Sequence, residues 1–197
     1  PFRKNHKSLE YIDLGGGLPV QYSYDFNFNY KAFANKLIKL LTETCQKVQV
    51  MPPSVIGEYG RYTVAESGFH ITKVTYSKRV RNNIWYILKN SIMGSFPDSW
   101  ALKQRFVVLP LNLWENPIEK VKLGGATCDP DDIYFDQNGK NYIELPKINE
   151  GETLYLAFFA TGAYQQMIAG VGGTHHCMIE EGRKIIIYKE QGNLTID

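Results

Sequence analysis

Asp13-Leu14-Gly15-Gly16-Gly17-Leu18-Pro19-Val20 ends an apolar stretch, Leu9 to Leu14, with three consecutive glycines, and its reading decides the fold. Glycine tolerates positive φ and lets a backbone approach an anion closely, so a strand ending this way can turn several N–H groups onto one phosphate. Glycine-rich strand ends also serve as ordinary turns, and the triplet alone leaves both readings open. A helical segment is predicted over Tyr30–Lys47, where Phe33, Leu37, Leu40 and Leu41 recur at spacings of three and four and mark one face for burial. Pro52-Pro53 closes the connection and Ser54–Gly57 reads as the next strand. With Tyr11–Leu14 as the first strand, this order makes a βαβ unit, best read as parallel.

From about His70 the pattern changes to short β-rich runs separated by Gly, Pro, Asn and Asp: Phe106–Leu111, Val121–Ala126, Ile133–Phe135, Tyr142–Leu145, Thr153–Phe159 and Lys184–Tyr188. That half reads as an antiparallel sheet or small barrel. The chain has 197 residues, 44% of them hydrophobic, which suffices for a real core. A net charge of +2, with no basic cluster beyond Lys78-Arg79 and Arg81, points to neither nucleic acid nor an anionic membrane. The best apolar run, Leu154 to Tyr164, is too short to span a bilayer. Cys45, Cys128 and Cys177 are odd in number and share no metal-ligand spacing, which suits free thiols in a reducing, cytoplasmic setting and no metal. Pro1-Phe2-Arg3-Lys4 has neither an initiator Met nor a signal-peptide pattern, as expected of an internal piece of a longer protein.

Four further clusters carry chemical groups. Gly57-Glu58-Tyr59-Gly60-Arg61 sets opposite charges around a glycine at the end of the second strand, and a structural ion pair or helix cap is its plain reading. Thr127-Cys128-Asp129-Pro130-Asp131-Asp132 follows an apolar strand; it suits an Asx-type turn and lacks the regular ligand spacing of a calcium loop. Gly162-Ala163-Tyr164 ends another apolar strand, where a tyrosine ordinarily serves packing. His175-His176-Cys177 are consecutive, so their side chains diverge on a strand and make a poor metal site.

Taken in order, these clusters resemble the C-terminal half of the pyridoxal-phosphate decarboxylases that join an α/β barrel to a β-domain, the group acting on ornithine, arginine and diaminopimelate. The glycine triplet, Glu58-Tyr59-Gly60-Arg61, Thr127-Cys128-Asp129 and Gly162-Ala163-Tyr164 stand in the family's sequence. Ser95-Phe96-Pro97-Asp98-Ser99-Trp100-Ala101-Leu102-Lys103-Gln104 and Gly173-Thr174-His175-His176-Cys177 look most like biosynthetic arginine decarboxylases. The resemblance implies the last βα units of a TIM-like barrel over residues 1–68 and a C-terminal β-domain, barrel or sandwich, over 69–197. It implies pyridoxal 5'-phosphate as cofactor, held by Gly15, Gly16, Gly17, Gly60, Arg61 and Tyr164, with Glu58 against the pyridine nitrogen. A carboxylate there favours the protonated ring, which makes the ring an electron sink.

Cys128 is implied as the proton donor, a role open to a thiol because an unperturbed one, with a pKa of about 8.5, stays mostly protonated at neutral pH. Asp129 is implied as the contact for a cationic substrate end, with Asp131, Asp132 or Asp98 as a second carboxylate; an arginine fork would fit such a pair. The implied reaction is decarboxylation of a basic amino acid, best L-arginine to agmatine in polyamine biosynthesis, by a homodimer or larger assembly with shared sites. The family's Schiff-base lysine lies in earlier barrel strands, so the N-terminal barrel part is an expected partner and this chain alone is expected to be inactive. The stretch Gly68–Ser95 is shorter than the helical insert of bacterial arginine decarboxylases, which keeps ornithine, lysine and diaminopimelate open as substrates. A non-catalytic regulatory homologue and a β-rich ligand-binding module remain as alternatives.

Overall fold

The computed structural model describes residues 9–134, 142–165, 179 and 182–197. Strands β1 (Tyr11–Asp13) and β2 (Ser54–Ile56) pair in parallel, Tyr11 opposite Ser54 and Asp13 opposite Ile56, with helix α1 (Tyr30–Lys47) between them. Asn29 caps α1 by accepting the Ala32 N–H at 2.8 Å, and the chain leaves the helix through Gln49 in the left-handed region. The apolar face expected to be buried is only partly covered. Phe33 and Leu40 are exposed, and Cys45 is the one buried residue of the helix.

After helix α2 (Gly60–Val64) and a 3-10 turn (Ala65–Ser67), the chain enters its longest strand, β3 (Phe69–Val80), which turns back as β4 (Asn83–Leu88). No strand was expected between Gly68 and Ser95, and the reason lies in the side chains. The core-facing positions of β3 include His70 and Thr72, while apolar Phe69 and Ile71 face outward, so hydrophobicity runs against the usual alternation. Short helices α3 (Ile92–Ser95) and α4 (Pro97–Leu102) lead to β5 (Val108–Pro110), β6 (Ile118–Gly124), β7 (Ile133–Tyr134), β8 (Ile143–Pro146) and β9 (Tyr155–Phe159). Each lies within the expected runs or shifts by a few residues, with Phe135 outside the described residues.

Among the described residues these strands form a sheet in the order β5-β9-β3-β4-β6-β7, with β8 on β6. The sheet is mixed rather than antiparallel, because β4 and β6 run parallel, Ile84 opposite Val121 and Ile87 opposite Gly124. The α3–α4 segment and β5 supply the crossover that two parallel strands need. Strand β3 serves two neighbours: Phe69–Lys73 pairs with β9, and Val74–Val80 pairs with β4 past a register shift at Val74/Tyr76. A separate hairpin, β10 (Ile187–Glu190) with β11 (Asn193–Ile196), closes the chain.

The core lies on the inner face of this sheet, where Tyr86, Leu88, Phe96, Phe106, Leu123, Leu156 and Phe158 are almost fully buried. Phe96 stacks on Phe158 with centroids 4.5 Å apart. The Tyr134 hydroxyl accepts from the Phe106 N–H and donates to the Phe106 carbonyl, both at 2.8 Å, which satisfies a polar tip inside the core. His70 packs edge-on against Phe96 at 5.0 Å, and burial lowers its imidazole to about 4. The unfolded chain therefore takes up a proton at His70 near its ordinary pKa while the folded one does not, so stability falls as pH drops from about 6.5 towards 4. His70→Gln should flatten that stretch of the stability–pH curve by up to about 3 kcal/mol, measured by urea unfolding at stepped pH; an unchanged slope would show that His70 is charged in the fold.

Candidate functional site

The glycine triplet lies beside the end of β2. Gly15 and Gly17 take φ of 68° and 84°, in the region that favours glycine. The Gly15 N–H donates to Asp13 Oδ1 and its carbonyl accepts the Glu58 N–H, both at 2.8 Å. A Cβ on Gly16 would stand 2.5 Å from the Glu58 carbonyl oxygen, so only glycine allows the two loops to lie this close. Among the described residues the Gly16 and Gly17 amides make no hydrogen bond, which leaves two donors open on exposed residues. Glu58 is exposed beside them, and Gly60 opens α2.

Arg61, one residue into α2, is gripped along one edge. Its Nη1 donates to the Tyr22 hydroxyl at 3.1 Å and to Asp98 Oδ2 at 3.0 Å. Its guanidinium carbon sits 4.4 Å from the centre of the Tyr164 ring, a cation–π distance. Desolvation works against the charge, but the hydrogen bonds and charges of Tyr22 and Asp98 outweigh it and raise the pKa further. The Nε and Nη2 donors have no partner among the described residues. Asp98, expected as a substrate carboxylate, is instead 6% exposed and committed to Arg61 and Gln165. Its charge offsets the arginine within the fold.

Tyr164 reaches Arg61 through a backbone crossing. Gly162 and Gly68 lie so close that a Cβ on Gly68 would stand 2.7 Å from the Gly162 Cα, and a Cβ on Gly162 would collide with the Val64 carbonyl oxygen. The Gly162 N–H donates to Ala65 O and the Thr161 N–H to Gly68 O, each at 2.9 Å. Tyr164 then takes φ of 70°, uncommon for a residue with a side chain, and presents its ring to the guanidinium. Sequence reasoning missed Tyr22 and Gln165, because neither stands in a motif and their partners are remote in the chain.

The Cys128 loop is anchored elsewhere. Asp132 is 2% exposed; its Oδ1 accepts from Ser91 Oγ and the Ile92 and Met93 amides, and its Oδ2 accepts from the Thr127 amide and hydroxyl. Asp132, expected as a second substrate carboxylate, thus receives five donors that bind the loop to α3. Asp129 is half-buried, and its Oδ1 accepts the Asp131 N–H at 2.8 Å. Asp131 and Cys128 are exposed, and Cys128 is in no disulfide. Among the described residues no three His, Cys, Asp or Glu come together as metal ligands, and no helix is long and apolar enough to cross a membrane. His175, His176 and Cys177 lie outside the described residues.

Two glycine amides and one edge of the Arg61 guanidinium, without hydrogen-bond partners among the described residues, are donors of the kind that suits a phosphate. The family described as pyridoxal-dependent decarboxylase, C-terminal sheet domain, matches residues 21–162. The chain belongs to this family. A biosynthetic arginine decarboxylase of Pelobacter propionicus is 23% identical, aligned over 96% of this chain and 46% of that protein. The structure of the biosynthetic arginine decarboxylase from Campylobacter jejuni matches with a TM-score of 0.80 at 19% identity, covering 100% of this chain and 47% of that one. A diaminopimelate decarboxylase from M. jannaschii in complex with L-lysine gives a TM-score of 0.75 at 23% identity, covering 99% and 42%. These likenesses show the fold, and the chain spans about half the length of the relatives it matches.

Pyridoxal phosphate is the cofactor of the pyridoxal-dependent decarboxylases, and the residues present fit its phosphate. Two glycine amides and the Nε/Nη2 edge of a guanidinium are unpartnered donors of the kind that binds phosphate oxygens. The meeting of Arg61 with Tyr164 depends on the crossing at Gly162. Gly162→Ala should destabilise the fold by about 1–3 kcal/mol through the collision with Val64 O, read as a fall in the urea midpoint at unchanged m-value; a neutral effect would mean that the crossing opens freely.

Proposed function

We propose that this chain is the C-terminal part of a pyridoxal-phosphate decarboxylase acting on a basic amino acid, with L-arginine, converted to agmatine, the favoured substrate. One observation carries the reading: Glu58 lies against Gly15 and Gly16, and Arg61, three residues further on, meets Tyr164 from the far part of the chain. A non-catalytic binding module has no need of that assembly. The proposed boundary between barrel part and β-domain is 68/69. The exposed apolar residues of β1, β2 and α1, among them Tyr11, Ile12, Val55, Ile56 and Phe33, are the surface on which further barrel strands would close, since parallel strands are ordinarily covered on both faces. A cytoplasmic enzyme of polyamine synthesis fits the reading.

When bound, pyridoxal phosphate supplies the electron sink that lets the bond between Cα and the carboxylate break. Gly16, Gly17, Arg61 and the Tyr164 hydroxyl hold the phosphate; Gly15 shapes the loop, and Gly60 starts α2 so that Arg61 falls beside it. Glu58 holds a proton on the ring nitrogen. Cys128 Sγ carries the proton delivered to Cα after CO₂ leaves, and Asp129, with Asp131, takes the cationic end of the substrate. The Cys128–Asp129 loop is tied to α3 rather than to the glycine loop, which suits a loop that completes the site of a second copy. On this reading the working site belongs to a homodimer or a larger assembly. Ornithine, lysine and diaminopimelate are the alternative substrates.

The test uses the full-length protein with its N-terminal part. CO₂ release should be fastest with L-arginine, and Glu58→Gln should lower kcat on the order of 10²-fold while the cofactor dissociation constant changes only a few-fold. Binding of cofactor with no CO₂ released from arginine, ornithine, lysine or diaminopimelate would overturn the enzyme reading.

A further inference from the structure

We propose that Gln165 is a positioning residue for the phosphate site: acting through Asp98, it fixes the guanidinium of Arg61 so that the Nε/Nη2 edge faces the anion. This rests on the reading of Arg61 as a phosphate ligand. Gln165 is 3% exposed, and its Nε2 donates to both Asp98 Oδ2 and the Ala163 carbonyl, each at 3.0 Å. The reverse amide orientation would set an oxygen against those two acceptors, so the donor side is fixed. Among the described residues Oε1 is buried without a partner, a cost that goes with holding this orientation.

Asp98 Oδ2 receives Gln165 and Arg61 Nη1 together, so the carboxylate cannot follow the arginine if the guanidinium swings. Tyr22 occupies the other Nη1 hydrogen, and the Tyr164 ring covers the guanidinium face at 4.4 Å. Tyr164 and Gln165 are adjacent, so one dipeptide grips the arginine from its face and, through Asp98, from its edge. What remains is a planar fork with fixed direction, which suits two phosphate oxygens better than a mobile charge does. Gln165 carries no charge, so replacing it changes geometry without changing the electrostatics of the anion site.

The readout is the phosphate preference of the full-length protein, the ratio of the dissociation constants of pyridoxal and pyridoxal 5'-phosphate, each measured by equilibrium titration. Gln165→Met removes both donors at nearly constant length. It should lower the preference on the order of tenfold with pyridoxal affinity unchanged, a loss that a merely structural role, weakening both ligands alike, does not produce. Arg61→Met run in parallel separates the two claims. If R61M keeps the preference, Arg61 is no phosphate ligand and the underlying reading falls; if R61M abolishes it and Q165M leaves it intact, the positioning role alone is overturned. Should Q165M fail to fold, Gln165→Leu, also uncharged and without donors, carries the same test. An unchanged phosphate preference in that variant overturns the proposal.

Discussion

Gly68 and Gly162 let two backbones cross at a distance no side chain permits, and the arrangement of the candidate site follows from that crossing. The turn after α2 and the end of β9 are held there by hydrogen bonds from Thr161 and Gly162. Small buried residues, Val20, Ala65, Ala160 and Ala163, pack around it and keep the approach close. Arg61, four residues before Ala65, thereby meets Tyr164 and, through Asp98, Gln165, two and three residues beyond Gly162. Helix α2 has only five residues and no side-chain cap, so its direction is set by this tertiary contact and not by its own propensity.

The ion pair of Arg61 with Asp98 is better understood as orientation than as stability. Burying a carboxylate costs several kcal/mol, and a single close arginine repays that only with good geometry and further hydrogen bonds. Asp98 has both, from Arg61 and Gln165. The arginine is partly exposed, at 25% of its side chain against 8% for the aspartate, so one partner faces inward and the other outward. That asymmetry matters for anion binding. The buried edge neutralises the resting charge, while the outer edge still offers strong directional donors.

Local chemistry was legible in the sequence where the partners are near and opaque where they are far. The glycine loop, the capped helix and the parallel pairing of β1 with β2 follow from short-range patterns: a triplet, a 3.6-residue period, a proline stop. Strand β3 escaped because His70 and Thr72 occupy core-facing positions while Phe69 and Ile71 face out, which inverts the pattern that marks a half-buried strand. The parallel pairing of β4 with β6 is a matter of topology, which alternation does not encode. The carboxylates divide in the same way. Their charge suggested substrate contacts, but Asp98 meets Arg61 and Gln165 from 37 and 67 residues away and Asp132 meets Ser91, Ile92 and Met93 from 39 to 41 residues away, and only the fold reveals these partners.

Asp132 shows why a spent carboxylate still serves a site. Five donors converge on it from two segments, the start of α3 and the turn at Thr127, and Gly125 leaves the space it occupies. Hydrogen bonds to a buried charge are worth more than neutral ones, and removing any one leaves the carboxylate undersatisfied. The loop between the anchored ends is short and turns on Asp129, whose side chain closes on the Asp131 amide. Cys128 and Asp131 are consequently exposed on a loop whose base is rigid. A thiol and a carboxylate proposed to act in the site of a second copy have that combination: access at the tip, and a base held by five hydrogen bonds.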